Sequence, residues 1–190
     1  MALSDTDLIY KAQAGDSSSF EELVFRYDKR VLSMALKYVQ NKDDAKDIYQ
    51  EVFIRVFKGL KNFQFKSEFS TWLFRITTNV CLTHYAKNKK RINVPINEEF
   101  DEEDNGGVIL ENEHNYSSPE KHLSSNEISE KINEAVDKLS PKQKMIFLMK
   151  HFEGYKLKEI ALIMDCQEGT VKKYLFEANH KMRKLLKNIY

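Results

Sequence analysis

Apolar residues recur at intervals of three and four along most of this chain, the spacing that lines one face of a helix. Phe20, Leu23, Val24, Tyr27, Val31 and Leu32 form one such stripe, preceded by the serines 17–19 and by a short first helix that Asp5 or Thr6 can cap. Lys42–Asp44 open a third helix carrying Ala45, Ile48, Tyr49, Val52, Phe53, Val56, Phe57 and Leu60. A loop over Lys61–Ser70 leads to a fourth, begun by Ser67 or Ser70 and bearing Trp72, Leu73, Ile76, Val80 and Leu82, which runs into the basic stretch Lys87–Arg91. Val94-Pro95 breaks the pattern. It returns at Asn126 with Ile128, Ile132, Ala135, Val136 and Leu139, and again after Ser140, where Ser as N-cap, Pro141 at the first helical position and Gln143 reaching back spell a helix start. That helix carries Met145, Ile146, Phe147, Met149 and Phe152 and stops at Gly154. No segment alternates in the manner of a strand. The expectation is an all-α fold: two small helical domains of four helices each, 1–92 and 126–190, joined by an acidic flexible linker, 93–125, with a helix-turn-helix in the C-terminal domain.

The helix-turn-helix is the stretch from Gly154 to Ala178 and beyond. Leu157, Ile160, Ala161 and Met164 form the buried side of a supporting helix, and Val171, Leu175, Ala178 and Met182 that of a second helix reaching Leu185. Such a second helix enters the DNA major groove. Gly169 and Thr170 at its start allow a phosphate to approach free backbone N–H groups. Lys172, Lys173 and Phe176 project outward, where lysine meets phosphate or guanine and phenylalanine a thymine methyl.

Charge sharpens this division. The net charge of +1 over 190 residues splits into 16 Lys/Arg against 11 Asp/Glu in 1–92, one against nine in 93–125, and 13 against nine in 126–190. Two basic bodies joined by an acidic strap suit two nucleic-acid contacts. In the N-terminal body, Phe63, Phe65 and Phe69 alternate with Lys61 and Lys66, a mixture that can stack the bases of a single strand or, just as simply, plug a core. Asn79 and Thr83 follow on the fourth helix. Asp47, Gln50, Glu51 and Phe53 fall within two turns of the third, a polar and aromatic face suited either to docking on a partner helix or to solvent.

The order of Asp47-x-x-Gln50-Glu51-x-Phe53, then Phe69-x-Thr71-Trp72-Leu73-x-x-Ile76-x-x-Asn79, then Ile160-Ala161 through Gly169-Thr170-Val171-Lys172 resembles the bacterial RNA polymerase sigma factors of the extracytoplasmic-function (ECF) group over nearly the whole chain. The resemblance implies a sigma factor that binds core RNA polymerase, directs it to promoters and promotes DNA opening. It implies polymerase docking through Asp47, Gln50, Glu51 and Phe53. It implies recognition of the single-stranded minus-ten element through Lys61, Phe63, Phe65, Lys66, Asn79 and Thr83, with one base flipped out of the stack. It implies reading of the duplex minus-thirty-five element through Gly169, Thr170, Lys172, Lys173, Phe176 and Glu177. It also implies an acidic linker that threads toward the polymerase active centre, and an anti-sigma factor as inhibitor. The chain departs from the family's pattern at Thr83, where Asp is common, and at Ala86, Tyr174, Glu177 and Asn179, where Arg is common. Glu177 would repel phosphate or accept from cytosine.

Nothing in the sequence spells an enzyme: no phosphate-binding glycine loop, no Ser/His/Asp layout and no His-Glu-x-x-His. His114 and His122, with Glu113 and Glu120, fit no compact metal motif, so neither metal, cofactor nor small-molecule substrate is expected. Cys81 and Cys166 read as buried small residues in a reducing compartment. With no long apolar run and no leader pattern at the start, a cytoplasmic protein is expected. Two competing functions remain on the sequence alone. A stand-alone operator-binding regulator would share the helix-turn-helix but should add a sensing domain, and a helical protein adaptor would not need two basic bodies.

Overall fold

Side-chain caps set where these helices begin. Ser4 caps α1 (Asp5–Gln13), its hydroxyl taking the Asp7 N–H while the Asp7 carboxylate takes the Ser4 N–H. Asp16 caps α2 (Ser17–Val39) and Asn41 caps α3 (Lys42–Leu60), the latter accepting from the amides of Asp43 and Asp44 at 2.8 and 3.1 Å. The starts therefore fall at Ser4 and Asp16, ahead of the Asp5 or Thr6 and the serine run that the pattern suggested. α4 spans Phe69–Arg91, α5 Ser125–Asp137, α6 Pro141–His151, α7 Leu157–Met164 and α8 Glu168–Leu185. The expected box at Ser140 is formed: Gln143 N–H donates to Ser140 Oγ at 3.4 Å and Ser140 N–H to Gln143 Oε1 at 3.2 Å. The computed structural model describes residues 3–91 and 125–187, and among these there is no strand. The acidic segment, its two histidines and Phe100, Val108, Ile109 and Leu110 lie outside the described residues, as do the side chains of the basic stretch from Lys89 to Arg91.

Helices α1–α4 pack around Leu23, Val31, Ile48, Val52, Val56 and Leu73, all essentially inaccessible to solvent. Helices α5–α8 close over Met145, Ile146, Met149, Ile160, Val171 and Ala178. In α7 the buried residue is Ile163, whereas Met164, named from the periodicity, is only partly covered.

A tether alone is not what holds the two bodies together. α4 packs on α7 and α6, and α2 packs on α6, so the buried side chains form one continuous core. Phe74, completely buried, is the centre of this contact, edge-on to Tyr155 with ring centres 5.6 Å apart. Arg30 lies over both rings, at 4.9 and 5.6 Å, and donates to the Tyr155 hydroxyl at 3.0 Å. Glu153 sits between two cations, Lys37 at 3.4 Å and Arg30 at 3.8 Å. Farther along, Arg75 donates to the Leu162 carbonyl at 2.7 Å and to Asp165 at 2.9 Å. Burial at this seam pushes the Tyr155 hydroxyl up to about 12, against the pull of Arg30 in the other direction. A cavity of about 230 Å³ remains between the bodies, lined by Tyr38, Asp44, His84, Asn88, Asp137 and Lys144.

Candidate nucleic-acid interface

The inward side of α3 is fixed by Ala45, Ile48, Val52, Val56 and Leu60, all buried at helical spacing. Asp47 and Gln50 are thereby turned to solvent, while Glu51 and Phe53 are half-buried. Glu51 is tied to Arg55 one turn on, at 2.7 Å. Phe53 meets Tyr49 edge to face at 4.9 Å. The apolar surface continues past the expected residues: Phe57 is 64% exposed and leans on Phe20 at 5.1 Å, and Ile54 is 48% exposed. These residues share a helix with buried neighbours, and periodicity alone had placed Phe57 inward or on a partner face.

The loop after α3 is an aromatic assembly. Phe63 touches Phe65, Trp72 and Phe69 with ring centres at 5.0, 5.0 and 6.1 Å, and Tyr27 meets Phe69 at 5.4 Å. Phe63 is only 8% exposed: its faces are taken up by protein rings, and it supports the loop from beneath. Phe65 is half-buried and holds a φ of 55°, the left-handed region that a non-glycine residue rarely enters. Gly59 lies where a Cβ would come within 3.1 Å of Cζ2 of Trp72, so the end of α3 can pass close over the indole. Lys61, Lys66, Asn79 and Thr83 are exposed. Asn79 and Thr83, four residues apart, share one face of α4. The loop carbonyls of Leu60 and Phe63 are both held by the side-chain amide of Gln13 from α1, at 2.9 and 3.0 Å. No sequence signal marked Gln13, since a lone glutamine on a polar helix face carries no pattern.

In the C-terminal body, α7 and α8 meet through Ile160, Ala161, Ile163 and Val171, with the turn between them made by Asp165 in the left-handed conformation (φ 53°). Glu159 accepts from the Lys156 amide at 2.7 Å and so caps α7. The N-cap of α8, Gln167, makes no side-chain cap bond. Gly169 is exposed, Thr170 half-buried, and no atom lies within 4 Å of a Cβ built on Gly169. Lys172 and Lys173 are exposed, and Phe176 is 74% exposed. Lys172 pairs with Glu168 at 2.9 Å, and that hydrogen bond holds the Glu168 carboxyl below its ordinary range. Glu177 is half-buried and accepts from Gln143 of α6 at 3.0 Å. Asn179 is likewise tied to His151 at 3.0 Å. Two of the departures from the family's pattern are therefore bonded back onto α6.

Comparison with known proteins places both bodies. The model of Sigma-70 region 2 matches residues 23–91, and that of Sigma-70, region 4 matches residues 129–181. The RNA polymerase sigma-H factor of Pseudomonas aeruginosa is 30% identical over 185 residues, covering 96% of this chain and 93% of that protein. The ECF RNA polymerase sigma-E factor of Escherichia coli is 33% identical over 181 residues, covering 93% and 91%. The chain belongs to the ECF group of RNA polymerase sigma factors. This sigma factor binds core RNA polymerase and promoter DNA and directs transcription initiation, the work of a family of non-enzymatic initiation factors. Its helical fold is shared with a solved structure, the sigma factor RpoE in complex with the anti-sigma factor NepR from Bartonella quintana, at a TM-score of 0.63 and 20% identity, covering 88% of this chain and 96% of that one. Among the described residues no helix is long and apolar enough to cross a membrane.

Proposed function

We propose that this sigma factor divides its task among three surfaces, the first of which docks on core polymerase through Asp47, Gln50, Glu51 and Phe53, extended by Ile54 and Phe57. The second, Lys61, Phe65, Lys66, Asn79 and Thr83, captures the unpaired strand of the minus-ten element. Holding a base that only the melted duplex offers shifts the DNA toward its open form without any chemistry by the protein. The third, Gly169, Thr170, Lys172, Lys173 and Phe176, reads the duplex minus-thirty-five element, with Glu177 at its edge. The observation that carries the reading is the state of α8: lysines and a bare phenylalanine stand out from a helix whose N-terminal amides lack a side-chain cap. Glycine is a weaker helix former than alanine, and nothing inside the fold requires it there. Close approach of a phosphate would supply the reason.

Reach then demands a change of shape. A compact body of about 150 residues has a radius of gyration of about 15 Å, so it is roughly 40 Å across. Elements centred about 25 base pairs apart lie about 85 Å apart on straight duplex at about 3.4 Å per step. The 33 residues 92–124 have a contour of up to about 110 Å. The seam of Phe74, Arg30, Glu153 and Arg75 therefore opens when both elements are held, and an anti-sigma factor can act by favouring the closed form. The protein works in the cytoplasm, where the polymerase is, and catalyses nothing itself.

The test is run-off transcription with purified core polymerase on fragments of the host genome. Transcripts that appear only when the protein is added, and that start at a fixed distance from two shared sequence blocks, support the reading. DNA binding that is indifferent to polymerase, with no initiation, would identify a stand-alone operator-binding regulator.

A further inference from the structure

Helix α1 falls outside both matched regions, 23–91 and 129–181, yet it is firmly fixed. Leu8 and Ile9 are buried, the Tyr27 hydroxyl donates to Asp5, and Arg26 donates to Asp5 at 2.8 Å and to the Leu3 carbonyl at 2.7 Å. Its far end reaches the loop after α3. Gln13 uses one amide nitrogen to hold the carbonyls of Leu60 and Phe63, the two ends of the turn in which α3 stops. Tyr10 lies three residues before Gln13 and so on the same side of α1. Its ring is stacked on Phe65, 4.7 Å centre to centre and 28° between planes, and it remains 59% exposed. A tyrosine that served only to plug a core would be covered. This one extends an aromatic ledge into solvent from a loop that also carries the exposed Lys61 and Lys66, at the residue whose backbone is left-handed.

We propose that α1 is part of the surface that captures the single-stranded downstream element. Gln13 is a positioning residue that sets the loop through its two carbonyls. Tyr10 holds Phe65 and supplies a second π-face on which an unpaired base stacks, an arrangement tolerant of base identity because every base has such a face. Selectivity comes from the loop that Gln13 shapes, affinity from the ledge. The inference rests on the assignment of this loop to the minus-ten element.

The measurement uses holoenzyme, the full chain with core polymerase, and an end-labelled single-stranded 12-mer copied from the non-template strand of a promoter found by the run-off experiment. Tyr10→Leu keeps apolar bulk without a ring and should weaken 12-mer binding about tenfold, and Tyr10→Phe should recover most of that loss. Gln13→Glu keeps the shape but removes both donors, and should flatten the preference among 12-mers substituted at one position more than it lowers affinity. Binding of core polymerase and the melting temperature are read in parallel. If Gln13→Glu does not fold, the Tyr10→Leu and Tyr10→Phe pair decides alone. Wild-type affinity and preference in the variants would overturn the role of α1 while leaving the loop assignment standing. Loss of core binding in step with 12-mer binding would also overturn it, by making α1 a polymerase contact. A wild-type holoenzyme that does not distinguish the 12-mer from a scrambled one would instead remove the loop assignment beneath it.

Discussion

In the N-terminal body, rings from Tyr10, Phe63, Phe65, Phe69 and Trp72 converge on one loop, whereas in the C-terminal body Phe176 stands 74% exposed beside the lysines of α8 with no ring of the described residues packed on it. Under the proposed assignment of the three surfaces, the difference follows from the state of the DNA each body would meet. A duplex presents a regular groove, and a helix exposing lysines and one apolar side chain already matches it. An unpaired strand has no fixed shape. A protein that selects it must supply that shape, here with a loop whose conformation at Phe65 is uncommon and whose carbonyls are clamped from α1. On that proposal the upstream reader needs only a support helix, while the downstream reader needs an assembly drawn from three helices.

The two bodies are nevertheless joined through Phe74, and removing that side chain should have the largest effect. Phe74→Ala should lower stability by about 3–5 kcal/mol, with both bodies unfolding in one transition followed by urea titration. Two separate transitions, only the first of them shifted, would show two cores where the structure has one.

How much of this was legible in the sequence depends on how far each contact reaches along the chain. The Ser140 box, the end of α8 at Leu185 and the exposure of Lys172, Lys173 and Phe176 rest on neighbours within a turn or two, and the pattern announced them. The seam did not show. Periodicity says that Phe74 or Arg30 lies on some face, but the partner, Tyr155, is 125 residues from Arg30 in sequence. The burial of Phe63 was illegible for a related reason: an aromatic between lysines looks the same whether its ring faces a base or Trp72. Gln13, 47 residues from Leu60, was invisible altogether.

A smaller effect should come from the seam's polar contacts. Arg30→Ala removes a cation over two rings and a bond to Tyr155, worth about 1 kcal/mol together at a partly exposed site. If the closed form must open before docking, apparent affinity for core polymerase should rise by up to about fivefold. A fall in affinity would mean that the closed form is the one that docks.

The contrast at the C-terminal body can be sharpened by salt titration of duplex binding. Glu177→Arg frees the side chain from Gln143 and adds a cation, so nonspecific affinity should rise and the slope against salt steepen by about one. Lys173→Ala should make the slope shallower by about one. An unchanged slope for both would move α8 away from the phosphates.

The cysteines give an effect with a definite sign in pH, small near neutrality and growing only in alkali. Burial raises the Cys81 thiol to about 12, and it raises the half-buried Cys166 as well. Because the folded value lies above that of the unfolded thiol, about 8.5, the stabilisation is complete below that range and is lost as pH rises toward 12. Stability should therefore fall above about pH 9 and a maleimide should label Cys166 well before Cys81. Equal labelling of the two in the folded protein would show that Cys81 is not buried.

On the proposed function one closed body becomes a two-element clamp, and a distance reports that change. Dyes placed by Glu21→Cys on α2 and Lys184→Cys on α8, with Cys166→Ser to silence the accessible native thiol, should lie within roughly 40 Å of each other in the free protein, the width expected of so compact a chain. On adding core polymerase and a promoter fragment, the separation should grow to beyond about 60 Å in complexes that go on to make transcript, as holding elements about 25 base pairs apart requires. A transcribing complex in which the distance stays at its free-protein value would show that the seam does not open.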